Sequence, residues 1–123
     1  MMKIRIKGNT VRYRLTRTEV KIFCETGHFE EKTQFRDKTF IYELRTKAGL
    51  EHLDANFKEN TITLYLPEKE RERWGDSEQV GFQHTIVSAS GAELSLLLEK
   101  DFTCLDETIE DQSDNYPNPL ANK

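Results

Sequence analysis

Three histidines (His28, His52 and His84) and two cysteines (Cys24 and Cys104) are the residues of this chain best suited to chemistry. His84 alternates with polar neighbours in a way that places it on the apolar face of a strand, and Cys104 follows the next strand. A thiol beside an imidazole can act as nucleophile and base, so Cys104 with His84 would make a small cysteine-dependent enzyme. Against this, no helix start and no cluster of bases surrounds Cys104 to lower its pKa. A buried cysteine usually serves as a small hydrophobe. The cysteines form no C-x-x-C pair, and no H-E-x-x-H, G-x-S-x-G or glycine-rich phosphate loop occurs. No cofactor and no metal site is therefore expected, and a non-catalytic role leads.

Cations give the sharper signal. Met2, Ile4 and Ile6 alternate with Lys3, Arg5 and Lys7; after Gly8-Asn9, Val11, Tyr13 and Leu15 alternate with Arg12 and Arg14. Period-2 alternation around a two-residue turn led by glycine predicts a type II′ hairpin. With Gly8-Asn9 as the loop, Ile6 faces Val11 and Ile4 faces Tyr13. The same register sets Arg5 opposite Arg12 and Lys3 opposite Arg14. Like charges directly across a strand pair destabilise it. Lys3, Arg5, Arg12 and Arg14 thus call for a carboxylate elsewhere in the fold or for an external anion, which guanidinium groups grip in two-pronged fashion. The competing explanation is a solvated edge whose charges prevent strand-to-strand aggregation.

The elements that must position these residues follow from pattern. Thr16 and Glu19 read as a capping box opening a short helix that Gly27 closes. A second hairpin over residues 29–46 is expected to pair Phe35 with Phe40. A third pairs Phe57 with Ile62 and Ala55 with Leu64 across Glu59-Asn60. Pro67 begins a second short helix that carries the sole tryptophan, Trp74, as an apolar anchor. The last hairpin turns at Ala89-Ser90-Gly91, with Ile86 facing Leu94, His84 facing Leu96 and Phe82 facing Leu98. The fold class is α+β: mostly antiparallel β, about eight strands in four hairpins forming a rolled or barrel-like sheet, with two short helices. Internal sequence repeats of useful length are absent.

Residues 1–105 form a single β-rich domain, and 106–123 an acidic, proline-containing tail. Residues 1–21 hold seven Lys or Arg and one acid, Glu19, whereas the stretch from Asp106 onward holds five acids and one base, Lys123. The tail acids Glu107, Glu110, Asp111 and Asp114 are expected to reach back to Arg5, Arg12 or Arg14. The net charge of -4 argues against a general nucleic-acid binder. With a charged N-terminus and no apolar run near ~18–20 residues, no signal peptide and no membrane helix are expected. A cytoplasmic protein with reduced thiols fits these features.

Three stretches carry a resemblance: Met2-Lys3-Ile4-Arg5-Ile6-Lys7-Gly8-Asn9, Leu98-Glu99-Lys100-Asp101-Phe102-Thr103-Cys104-Leu105 and Glu110-Asp111-Gln112-Ser113-Asp114-Asn115-Tyr116-Pro117-Asn118-Pro119. Together they resemble a family of short bacterial proteins of unknown function, across nearly the whole chain. The resemblance implies a single-domain bacterial protein and brings no activity. The expected function is a binding or adaptor domain whose basic hairpin face meets an anionic ligand or an acidic protein partner. Two alternatives remain: the Cys104/His84 enzyme, and a structural subunit that self-associates through a strand edge.

Overall fold

In the computed structural model, residues 1–101 and Tyr116 are described. The elements run β1 (Lys3–Lys7), β2 (Thr10–Leu15), α1 (Arg17–Thr26), β3 (His28–Gln34), β4 (Thr39–Lys47), β5 (Asp54–Lys58), β6 (Thr61–Pro67), α2 (Glu68–Trp74), β7 (Gly81–Val87) and β8 (Glu93–Lys100). The hairpins join in pairs to make two four-stranded sheets, ordered β1-β2-β8-β7 and β3-β4-β6-β5. Within each hairpin the strands are antiparallel, but the hairpins meet through parallel pairs, β2 with β8 and β4 with β6. The sheets stay open and form no barrel, because β1, β7, β3 and β5 all end as edges.

The sequence shows no repeat, yet the architecture is duplicated. The halves β1-β2-α1-β3-β4 and β5-β6-α2-β7-β8 share one element order, and exchanging them turns one sheet into the other. Registers agree as well. The row Ile4, Tyr13, Leu98, Phe82 across the first sheet corresponds to Ala55, Leu64, Leu44, Phe29 across the second.

Short turns and alternation set the hairpins. Gly8 has φ +56, and Asn9 is not left-handed, as a type II′ turn requires. The registers of the first, third and fourth hairpins are as read from pattern, including Arg5 opposite Arg12 and Lys3 opposite Arg14. The second hairpin differs. Phe35 lies in a four-residue loop whose N–H bonds to the Lys38 carbonyl at 2.7 Å, so Thr33, not Phe35, faces Phe40. Phe35 is 63% exposed; its apolar side chain imitates a strand position that the loop does not provide. The slip of two residues keeps the same faces and changes every partner.

Thr16 and Glu19 make both bonds of the capping box, and Gly27 ends α1 with φ +78 and its N–H on the Phe23 carbonyl. Trp74 is buried at the end of α2, edge-on to Phe23 of α1 (6.5 Å) and Phe82 of β7 (5.6 Å). The inner faces of both sheets supply one core that includes Tyr13, Leu15, Leu44, Leu64, Leu96 and Leu98. Two tyrosines stitch the sheets together: Tyr13 donates to the Ile62 carbonyl (2.9 Å) and Tyr42 to the Met2 carbonyl (2.8 Å), their rings 5.9 Å apart edge to face. Burial pushes both phenols above their ordinary pKa, so they remain donors. Among the described residues, no helix is long and apolar enough to cross a membrane.

A Cβ added at Gly8 would meet nothing within 4 Å, so replacing it tests backbone conformation alone. Gly8→Val is expected to cost about 1–3 kcal/mol in urea denaturation through left-handed strain. An unchanged midpoint would contradict the turn assignment.

Candidate functional site

The five cations of the first hairpin stand on the outer face of its sheet, away from the core. Along a strand, alternate side chains are about 6.8 Å apart, so Lys3, Arg5 and Lys7 form one row and Arg12 and Arg14 a second beside it. The parallel neighbour β8 brings Glu99 opposite Arg14. One Glu99 oxygen lies 3.2 Å from Arg12 Nε and 3.5 Å from Arg14 Nε. Lys3 Nζ lies 3.3 Å from Asp101, which is buried just past β8. The internal carboxylates thus answer part of the charge and concentrate on Lys3, Arg14 and one side of Arg12.

The remainder of the patch is different. Arg5 faces Arg12, and Lys7 faces Thr10, which makes a block of two guanidiniums, an ammonium and a hydroxyl around a depression of about 170 Å³. A neighbouring hollow of about 290 Å³ is lined by Lys3, Ile4, Arg5, Arg12 and Arg14. Among the described residues, neither Arg5 nor Lys7 has a carboxylate partner. Arg12 Nε is buried and makes no hydrogen bond, since its approach to Glu99 has the distance of an ion pair without the alignment. The four sequence-predicted cations therefore share one face, with its open centre displaced toward Arg5, Lys7 and Arg12. Thr10 and Lys7 are the members missed from sequence, although their place in the register was legible.

The other candidates fall elsewhere. His84 lies on the inner face of β7, with its ring stacked on His52 at 4.4 Å and 13°. Cys104 lies outside the described residues, as do the tail acids expected to reach the hairpin. Cys24 is half-buried against Gly75, and burial pushes its thiol up in pKa. It lines a hollow of about 490 Å³ between α1 and α2. Tyr116 borders the same hollow: its N–H bonds to the Asp101 carbonyl at 2.8 Å, and its ring sits between Arg17 and Lys100, 5.5 and 5.1 Å from the charges.

On the outer face of the second sheet a cluster appears that the sequence did not suggest. Glu43, buried on β4, accepts from the Thr63 hydroxyl (2.7 Å) and Arg45 Nε (3.1 Å) on one oxygen, while its other oxygen is 3.0 Å from His28 Nε2. Burial alone would raise the Glu43 pKa, but these hydrogen bonds outweigh it and hold the carboxyl below the ordinary range.

Fold and site define a two-sheet α+β domain with a basic outer hairpin face. The chain belongs to the DUF7009 family, a family of unknown function, which matches residues 2–120. No curated protein and no solved structure matches the chain.

A lowered folded pKa means that Glu43 stabilises the fold above the ordinary carboxylate range and loses that contribution as pH falls through the folded value. Thr63→Val is therefore expected to cost about 1.5–3 kcal/mol at neutral pH. The difference from the parent should shrink in acid, where Glu43 is protonated. Urea denaturation across pH checks this, and a difference constant with pH would contradict it.

Proposed function

We propose that the protein is a non-catalytic binding or adaptor domain that receives an anionic group on the outer face of β1–β2. Arg5, Lys7 and Arg12 are the binding cations, with Thr10 as a neutral donor and Lys3 and Arg14 flanking them. One observation carries this reading: two directly opposed arginines and Lys7 border an open depression, and of these three cations only Arg12 has a carboxylate beside it among the described residues. A fold that needed only edge protection could alternate charges there, at a gain of roughly 0.2–1 kcal/mol per pair. The shape favours a compact oxyanion, such as a phosphate group on a protein or small-molecule partner, over a long polymer. A cytoplasmic setting with Cys24 reduced accords with this role.

Calorimetric or NMR titration with inorganic phosphate and pyrophosphate tests the proposal. Binding should weaken with added salt. Arg5→Ala should lower affinity at least about tenfold, the equivalent of one charge-assisted hydrogen bond. Chemical-shift changes centred away from β1–β2, or equal affinity in Arg5→Ala, would refute the assignment.

A further inference from the structure

The second sheet repeats the electrostatic problem of the first with the sign reversed. Glu30 stands directly opposite Glu43 across β3 and β4, and His28 precedes Glu30 by two residues on the same face of the edge strand. Register alone therefore opposes two carboxylates, a destabilising pair unless a cation lies between them. The scaffold does not impose this. In the duplicated half the positions of Glu30 and Glu43 are taken by Gln83 and Leu97, which also pair directly, and that of His28 by Gly81.

We propose that His28, Glu30 and Glu43 bind one first-row divalent cation, with Zn²⁺ the best fit to one imidazole and two carboxylates. One ligand atom from each of the three comes within 4.8 Å of the others. Zinc holds imidazole nitrogen and carboxylate oxygen at about 2.0–2.2 Å in a tetrahedron, so two ligands stand about 3.4 Å apart, a few tenths of an ångström more than the hydrogen-bonded pair they would replace. The His28 Nε2 to Glu43 Oε2 separation is 3.0 Å. The roles of the Glu43 oxygens are divided: Oε1 takes Thr63 and Arg45, leaving Oε2 toward His28. Outer partners of this kind orient a metal-binding carboxylate. Arg45 already pairs with Glu43, whereas Glu30 has no ion pair among the described residues, so the cation supplies the charge that Glu30 lacks; the imidazole disfavours Mg²⁺ or Ca²⁺, which prefer oxygen alone. Three protein ligands leave a fourth position for water or an incoming donor. Because β3 is an edge strand and Glu30 is exposed, the site opens to solvent.

The experiment is a titration of the full chain with Zn²⁺ by calorimetry and with Co²⁺ by visible absorption, with thermal melts alongside. One equivalent should bind and raise the melting temperature. His28→Ala and Glu30→Gln should each weaken binding more than about tenfold and remove the thermal shift, whereas His52→Ala/His84→Ala should leave both intact. Glu30 is exposed, so Glu30→Gln keeps the test valid if His28→Ala misfolds. No binding by the parent, equal binding in Glu30→Gln, or loss of binding in His52→Ala/His84→Ala would overturn the site.

Discussion

Two parallel strand pairs, β2 with β8 and β4 with β6, hold this fold together. Each of the four hairpins is local and could be drawn by its own turn and alternation. A parallel neighbour cannot be reached through a tight turn, and here each such pair joins hairpins from opposite halves of the chain. The helices make that possible: α1 carries the chain from the first sheet to the second, and α2 carries it back. The inner faces then meet in one core, stitched by Tyr13 and Tyr42, and the outer faces are left to carry charge.

Duplication gives the charges an internal control. Across the first sheet one outer row reads Arg5, Arg12, Leu97, Gln83; the matching row of the second reads Asn56, Thr63, Glu43, Glu30. Each sheet thus places one like-charged pair in this row, in opposite hairpins and with opposite sign, where the other sheet has uncharged residues. Packing does not demand charge at these places. Opposed like charges cost stability, and such costs concentrate where a protein binds something. The proposed anion on one face and the proposed cation on the other would answer the basic pair and the acidic pair in the same way.

Much of this was legible in the sequence, for local reasons. The alternation around Gly8-Asn9 set the Arg5–Arg12 opposition, Thr16 and Glu19 marked the start of α1, and Trp74 announced itself as the anchor of α2. What was hidden depends on distant pairing. Glu99 reaches Arg12 and Arg14 only because β8 lies beside β2, and nothing in the local pattern of either strand says so. The His28/Glu30/Glu43 cluster was hidden by a two-residue slip. Pairing Phe35 with Phe40 sets Glu30 against Arg45, an unremarkable ion pair, whereas the observed loop sets it against Glu43. The duplication is not visible in the sequence because equivalent positions preserve apolar character and not identity, as Tyr13 and Leu64 do.

If the basic face is kept for a ligand at the expense of stability, reversing one of its charges should stabilise the empty domain. Thermal denaturation of Arg5→Glu at low ionic strength, with and without inorganic phosphate, measures this directly. Without phosphate the melting temperature should rise by about 1–5 °C, the equivalent of one relieved like-charge pair, and added phosphate should no longer raise it as it does in the parent. A lower melting temperature without phosphate, or an undiminished response to phosphate, would contradict the assignment of this face to anion binding.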